Sequence, residues 1–208
     1  MQYINGLETF SAAGRSAVTL GKFDGLHKGH QKLVEKVTEY GRADGLNSIV
    51  CAFDMEPLCR RLNRPYQVLM TQEERKRHLE GQVDYLVSCP FTESFSQMSA
   101  EDFIRDVIAG LFQAAYVVVG TDFHFGYQKR GDVHMLAAYQ HIYDYQLEVV
   151  DKERYEDREI SSTFVKEALA AGDMALAETL LGYPYELEGT VEHGKKLGRT
   201  LGFPTFNV

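Results

Sequence analysis

The sequence predicts an α/β fold built on a doubly wound parallel sheet. Short apolar runs recur at Ser16–Leu20, Ser48–Phe53, Asp84–Ser88, Ala115–Val119 and Leu147–Val150. Between them lie segments whose apolar residues repeat with helical spacing. A glycine-rich turn joins the first run to the first such segment. Strands alternating with helices imply a parallel sheet covered on both faces.

Ser16 to Leu20 is short and partly β-branched, which suits a buried strand. The helix after the turn carries Leu33, Val34, Val37 and Tyr40 on one face, with Lys32, Glu35, Lys36 and Glu39 elsewhere. Gly41 and Gly45 close it. Residues 54–70 read as a long loop with Pro57 and Pro65, of a length that is often functional. Thr71 and Glu74 form a capping box for a helix to about Glu80. Ser99 caps a helix to about Phe112, with Phe103, Val107, Ile108 and Leu111 facing the core. Asp132 opens a helix to His141, and the charged run Asp151–Glu159 reads as a solvated loop.

From Ser161 the character changes. Ser162 or Thr163 caps a helix to Ala171, which Gly172 ends. Asp173 caps a shorter helix to Leu181, stopped by Gly182 and Pro184. From Tyr185 apolar and polar residues alternate, predicting a half-exposed strand with Leu187 and Val191 on its inner side. The expected division is a domain at 1–183 and, at 184–208, a piece of a second domain too small to close a core alone.

The chain has 208 residues, 44% hydrophobic and 25% charged, enough for a sizeable core. Its net charge of −8 argues against non-specific nucleic-acid binding, but not against a phosphate ligand held by local geometry. Cys51, Cys59 and Cys89 lack metal spacing and fit free thiols in a reducing cytoplasm. No signal-peptide pattern and no apolar run of membrane length is expected.

The turn reads Gly-Lys-Phe-Asp-Gly-Leu-His-Lys-Gly-His over residues 21–30. His27 and His30 stand at the carboxyl end of a strand and the start of a helix, where open α/β sheets bind ligands. Small residues and unpaired N–H groups at a helix start suit a phosphate. An imidazole adds a hydrogen bond or a charge. Spacing alone leaves two alternatives: ordinary turn histidines, or a zinc pair, which lacks the further ligands of a full set. The flanking Gly21, Gly25 and Gly29 favour the phosphate loop.

Beside this turn stand Gly120-Thr-Asp-Phe-His-Phe-Gly126, Arg130-Gly-Asp132, Ile160-Ser-Ser-Thr-Phe-Val-Lys166 and Gly198-Arg-Thr-Leu-Gly-Phe-Pro-Thr-Phe-Asn207. Together, and in this order along nearly the whole chain, they closely resemble the bacterial bifunctional riboflavin kinase/FMN adenylyltransferases, or FAD synthetases. The resemblance implies a Rossmann-like sheet of the nucleotidyltransferase (HxGH) superfamily, followed by a fragment of a β-barrel domain. It implies an enzyme that transfers AMP from ATP to FMN with Mg²⁺, giving FAD and pyrophosphate. By resemblance His27 and His30 contact the ATP phosphates, and Ser161, Ser162, Thr163 and Lys166 grip them from a second helix start. Gly21, Lys22, Phe23, Asp24, Gly25 and Gly29 shape the nucleotide's turn. Asp122, Phe123 and Phe125 lie where flavin would sit, an aromatic being able to pack on the isoalloxazine ring. Each has a plainer alternative: Phe123 and Phe125 as core, Ser162 and Thr163 as helix caps, Asp122 as a turn former, Asp132 as a cap only. Thr205 and Asn207 match residues serving Mg²⁺ and ATP in the kinase module. That module is not complete here, so riboflavin phosphorylation is expected only of an intact, longer protein. The implied partners are small molecules, with no nucleic acid and no membrane, and the oligomeric state is left open.

Two positions depart from the family pattern. Lys166 replaces an arginine, keeping charge but losing bidentate geometry. Phe53-Asp-Met-Glu-Pro57 replaces Phe-Asp-Pro-His-Pro, placing Glu56 where a donor is usual. If Glu56 faces the nucleotide it repels phosphate and slows the enzyme; if it faces solvent, nothing follows. The competing readings are another nucleotidyltransferase of the HxGH superfamily, and a non-catalytic flavin- or nucleotide-binding protein.

Overall fold

The computed structural model describes residues 1–191 and Gly202. Thr205 and Asn207, and with them the expected kinase-module metal site, lie outside the described residues. The core is a six-stranded sheet of β1 (Gln2–Asn5), β2 (Ser16–Gly21), β3 (Asn47–Asp54), β4 (Tyr85–Pro90), β5 (Ala114–Gly120) and β6 (Gln146–Val150). The spatial order is β1-β4-β3-β2-β5-β6, and every neighbouring pair is parallel. The chain runs outward from β2 through β3 to β4, then crosses back to β5 on the other side of β2. The carboxyl ends of β2 and β5 therefore flank the point where strand order reverses, and ligands of such sheets bind there.

Both faces of the sheet are covered. On one, α1 (Lys28–Asp44) and α3 (Gln72–Leu79) enclose Ala17, Val50, Ala52, Leu86 and Val118. The capping box of α3 forms as predicted, with Thr71 and Glu74 each accepting from the other's backbone N–H. On the other face, Val18, Leu20, Ile49, Val87 and Val119 pack against a helix from Ala100 to Leu111 and against α6 (Val133–Tyr143). Ser99 caps the first of these through Asp102 N–H and Asp132 caps α6 through Met135 N–H. After α5 (Ala100–Asp102) the winding changes to a π-helix over Phe103–Leu111. Bonds five residues apart, such as Phe112 N–H to the Val107 carbonyl, shift the buried stripe. Ile104 and Phe112 become fully buried, and Leu111 lies at the margin.

Several expectations are corrected. The polar strand β1 pairs at the sheet edge, where alternation is weak because only one neighbour is present. The 54–70 loop contains α2 (Glu56–Arg61), and α4 (Glu93–Ser96) follows β4. The charged run holds a small hairpin of β7 (Arg154–Tyr155) and β8 (Arg158–Glu159). The cap of α7 (Ser162–Ala170) is Ser161, so Ser162 and Thr163 are already helical. Asp173 caps α8 (Met174–Leu181) as expected. Residues 185–191 form no strand, and Leu187 and Val191 are exposed. Apolar alternation stabilises a strand only where another layer covers its apolar face.

Candidate active site

The turn between β2 and α1 is left-handed at three places: Phe23 at φ +48°, Gly25 at +81° and Leu26 at +37°. Only Gly25 adopts this freely, and a Cβ there would stand 2.6 Å from Leu69 Cδ1. The two side-chain-bearing residues are held against their preference by the surroundings. Phe23 is fully buried, and four consecutive carbonyls of the turn each accept a side-chain hydrogen bond. Arg75 Nε donates to Phe23 O at 3.1 Å, and Ser162 Oγ to Asp24 O at 2.8 Å. Tyr183 Oη donates to Gly25 O at 2.6 Å, and Gln31 Nε2 to Leu26 O at 2.8 Å. These donors come from α3, α7, the segment after α8, and α1.

With its carbonyls engaged, the turn presents donors. His27 is the N-cap of α1 without a side-chain cap bond, and the N–H groups of Lys28 and Gly29 find no acceptor among the described residues. The rings of His27 and His30 stack, and the Phe23 ring is tilted against His30 with centroids 5.0 Å apart. Nδ1 of both histidines is buried without a hydrogen-bond partner. Burial pushes the His27 pKa down to about 4, against the pull of the Asp24 and Asp122 carboxylates. Burial also holds His30 well below its ordinary value, reinforced by the charges of His27 and Arg75. His30 as a whole residue is partly exposed, but its Nδ1 is buried and its ring contacts those of Phe23 and His27. Both imidazoles are therefore neutral at pH 7, each able to donate one bond and accept another. Buried polar atoms left unpaired at a helix start mark a place for a ligand that completes them.

The start of α7 meets this turn. Asp24 accepts from Leu69 N–H at 2.6 Å and from Lys166 Nζ at 2.7 Å, and Lys166 also donates to the Gln67 carbonyl. A Cβ on Gly29 would meet the His27 ring at 3.3 Å and the Ile160 carbonyl at 3.9 Å, so no side chain separates the two helix starts. The geometry redistributes the expected roles. Lys166 and the Ser162 hydroxyl hold the turn, Ser161 caps its helix, and Thr163 is exposed. Glu56 is half exposed and pairs with Arg60 on α2. Lys22 is exposed, and Gly21 lies beneath the Phe23 ring.

The loop after β5 stands across the switch point. Phe125 is a core residue rather than a free platform: it packs on Phe103 and on Gly131, where a Cβ would come within 2.5 Å of its ring. Phe123 stacks on it and stays half exposed. Asp122 is exposed and bound to Lys152. Arg75, Tyr183 and Lys152 carry no local sequence signal, since each reaches the site from a distant part of the chain, whereas Gln31 stands directly after His30. A cavity of about 470 Å³ lies at the opposite end of the sheet, between Arg15, Asp44, Tyr116, His141 and Asp144. It contains none of these groups and lies at the amino ends of the strands, away from where such sheets bind ligands.

Fold and site together define a Rossmann-like domain of the nucleotidyltransferase type, with two stacked histidines at the turn between β2 and α1. The FAD synthetase family model matches residues 10–164, and the riboflavin kinase model matches residues 181–208. The chain belongs to the FAD synthetase family. It is 33% identical over 211 residues to the bifunctional riboflavin kinase/FMN adenylyltransferase of Buchnera aphidicola from Acyrthosiphon pisum, covering 100% of this chain and 67% of that protein. The Escherichia coli K12 protein of the same description is 35% identical over 212 residues, covering 100% and 68%. A crystal structure from Streptococcus pneumoniae, described as a macrolide-efflux protein, superposes with a TM-score of 0.84 at 31% identity, covering 100% of this chain and 68% of that one. Among the described residues no helix is long and apolar enough to cross a membrane.

Proposed function

We propose that this chain makes FAD by joining FMN to the AMP part of ATP. An FMN phosphate oxygen attacks the α-phosphorus of ATP, a phosphorus–oxygen bond forms, the bond to the bridging oxygen breaks, and pyrophosphate leaves. Such transfer needs alignment of two phosphates and stabilisation of the charge that moves onto the leaving group. His27, His30 and the first N–H groups of α1 supply donors for those oxygens. The observation that carries the reading is the pair of buried, unpartnered Nδ1 atoms at the start of α1, at the switch point. Asp24, Lys166 and Ser162 keep the turn in shape, with Ser161 and Thr163 at the second helix start. Phe123 offers the aromatic face for the flavin, with Phe125 and Asp122 behind and beside it.

Mg²⁺ belongs to this reading as the ATP complex. Among the described residues no group of three His, Cys, Asp or Glu is placed to hold a metal ion. Mg²⁺ is usually bound through substrate phosphates and waters rather than an all-protein cage. When bound it neutralises triphosphate charge. The substrates are small molecules, and the free cysteines fit a cytoplasmic setting. We divide the chain at 183/184, and riboflavin phosphorylation would need a complete riboflavin kinase domain, of which residues 181–208 match a part.

FAD formation from FMN, ATP and Mg²⁺, followed by chromatography, tests the reading. Wild-type protein is expected to form FAD and the His27→Ala/His30→Ala protein to form almost none. A folded wild-type protein that makes none overturns it.

A further inference from the structure

Tyr183 lies beyond the stretch matched to FAD synthetase and within the stretch matched to riboflavin kinase. Its hydroxyl nevertheless donates to the Gly25 carbonyl, two residues before His27. Burial pushes the phenol pKa up, so the hydroxyl remains a donor at neutral pH. The ring rests on His78 of α3, with centroids 4.3 Å apart. Gln31 reinforces the link, donating to both Leu26 O and Leu181 O. Residues 181–183 thus connect to two successive peptides of the turn, both at left-handed residues. A cavity of about 200 Å³ lies beside the contact, lined by Leu26, Gln31, Val34, Gly182 and Tyr183. Close packing does not fix the turn from that side, so directional hydrogen bonds must.

We propose that Tyr183 is a positioning residue for AMP transfer. Its hydroxyl, with Gln31, fixes the Gly25–Leu26 peptides and so sets where His27 and the first N–H groups of α1 stand. The adenylylation turn is thereby coupled to the first residues of the kinase-like stretch. This rests on the reading that the turn holds the ATP phosphates.

Tyr183→Phe removes the donor and keeps the ring on His78. It is expected to raise the KM for ATP about five- to tenfold, the scale of one lost hydrogen bond. The KM for FMN and the melting temperature should change little. Amide hydrogen exchange at His30 and Gln31, whose N–H groups donate to the His27 carbonyl, should quicken by a similar factor while the sheet amides do not respond. Arg77→Ala, which breaks the exposed ion pair with Glu188, should leave all these values at wild type. Wild-type ATP kinetics together with wild-type exchange in Tyr183→Phe would overturn the proposal. If the wild-type chain makes no FAD, the catalytic reading fails by itself, and the exchange comparison still decides whether Tyr183 holds the turn.

Discussion

The imidazoles of His27 and His30 stack with centroids 3.7 Å apart and planes 20° from parallel. Burial depresses both pKa values, and for His30 the charges of His27 and Arg75 add to it. In the unfolded chain a histidine titrates near 6.5. As pH falls below that value, the unfolded state takes up protons that the native state refuses. Stability from this source is therefore complete above about pH 6.5 and is lost progressively on the way down to about 4. For His27 alone the loss is on the order of 3 kcal/mol. Urea unfolding between pH 8 and pH 4.5 should show it, and His27→Asn should flatten the curve. An equal slope in the variant would mean that other groups carry the acid sensitivity.

Triphosphate beside these rings should change their titration. Negative charge within hydrogen-bond reach favours the protonated form and raises the pKa. ATP binding at pH 6 is therefore expected to take up protons, and at pH 8 to take up almost none. Calorimetry in two buffers of different ionisation enthalpy measures the uptake directly. His30→Gln should reduce it if the phosphates lie where the free Nδ1 atoms place them.

Gly25 and Gly45 separate backbone strain from contact. Both have positive φ, but a Cβ on Gly45 meets nothing within 4 Å, whereas one on Gly25 collides with Leu69. Gly45→Ala should cost about 1 kcal/mol, the backbone term alone. Gly25→Ala should cost roughly 2–4 kcal/mol and also depress FAD formation, because relief of the clash moves the turn. Chemical denaturation of the two variants measures the difference. Equal destabilisation would show that Leu69 yields without cost.

The legible part of this molecule was the part set by local chemistry. The strands β2 to β6 announce themselves as apolar runs because both sheet faces are covered. The Thr71–Glu74 box and the His27–His30 turn are readable because their partners are three residues apart. The π winding over Phe103–Leu111 was not readable, since a stripe fitted to α spacing also tolerates a wider turn. Edge strand β1 was missed because it is polar and paired on one side only. The division of labour at the site was likewise hidden. Ser162 and Lys166 could be assigned to phosphate from their motif, but only the fold brings Asp24 within reach of both. Arg75 and Tyr183 converge on the same turn from 52 and 158 residues away.

Glu56 and Lys166, the two departures from the family pattern, should behave differently on substitution. Glu56 pairs with Arg60 at an exposed end of α2, so its charge is already compensated and solvated. Glu56→His should leave the KM for ATP and kcat within about twofold of wild type, the scatter of a surface change. Lys166 joins Asp24 to the Gln67 carbonyl, and its Nζ acts as a compact donor to two acceptors. Lys166→Met leaves the Asp24 carboxylate with only the Leu69 N–H, and should slow AMP transfer through disorder of the turn. Asp24→Asn should slow it through the same loss. The double variant should then be little worse than either single one, with a coupling of about 1 kcal/mol in transition-state free energy. Steady-state FAD formation by the four proteins closes that cycle. Additive losses would show that Lys166 acts on the substrate by itself, as the family's arginine is expected to do, and that its bond to Asp24 is incidental.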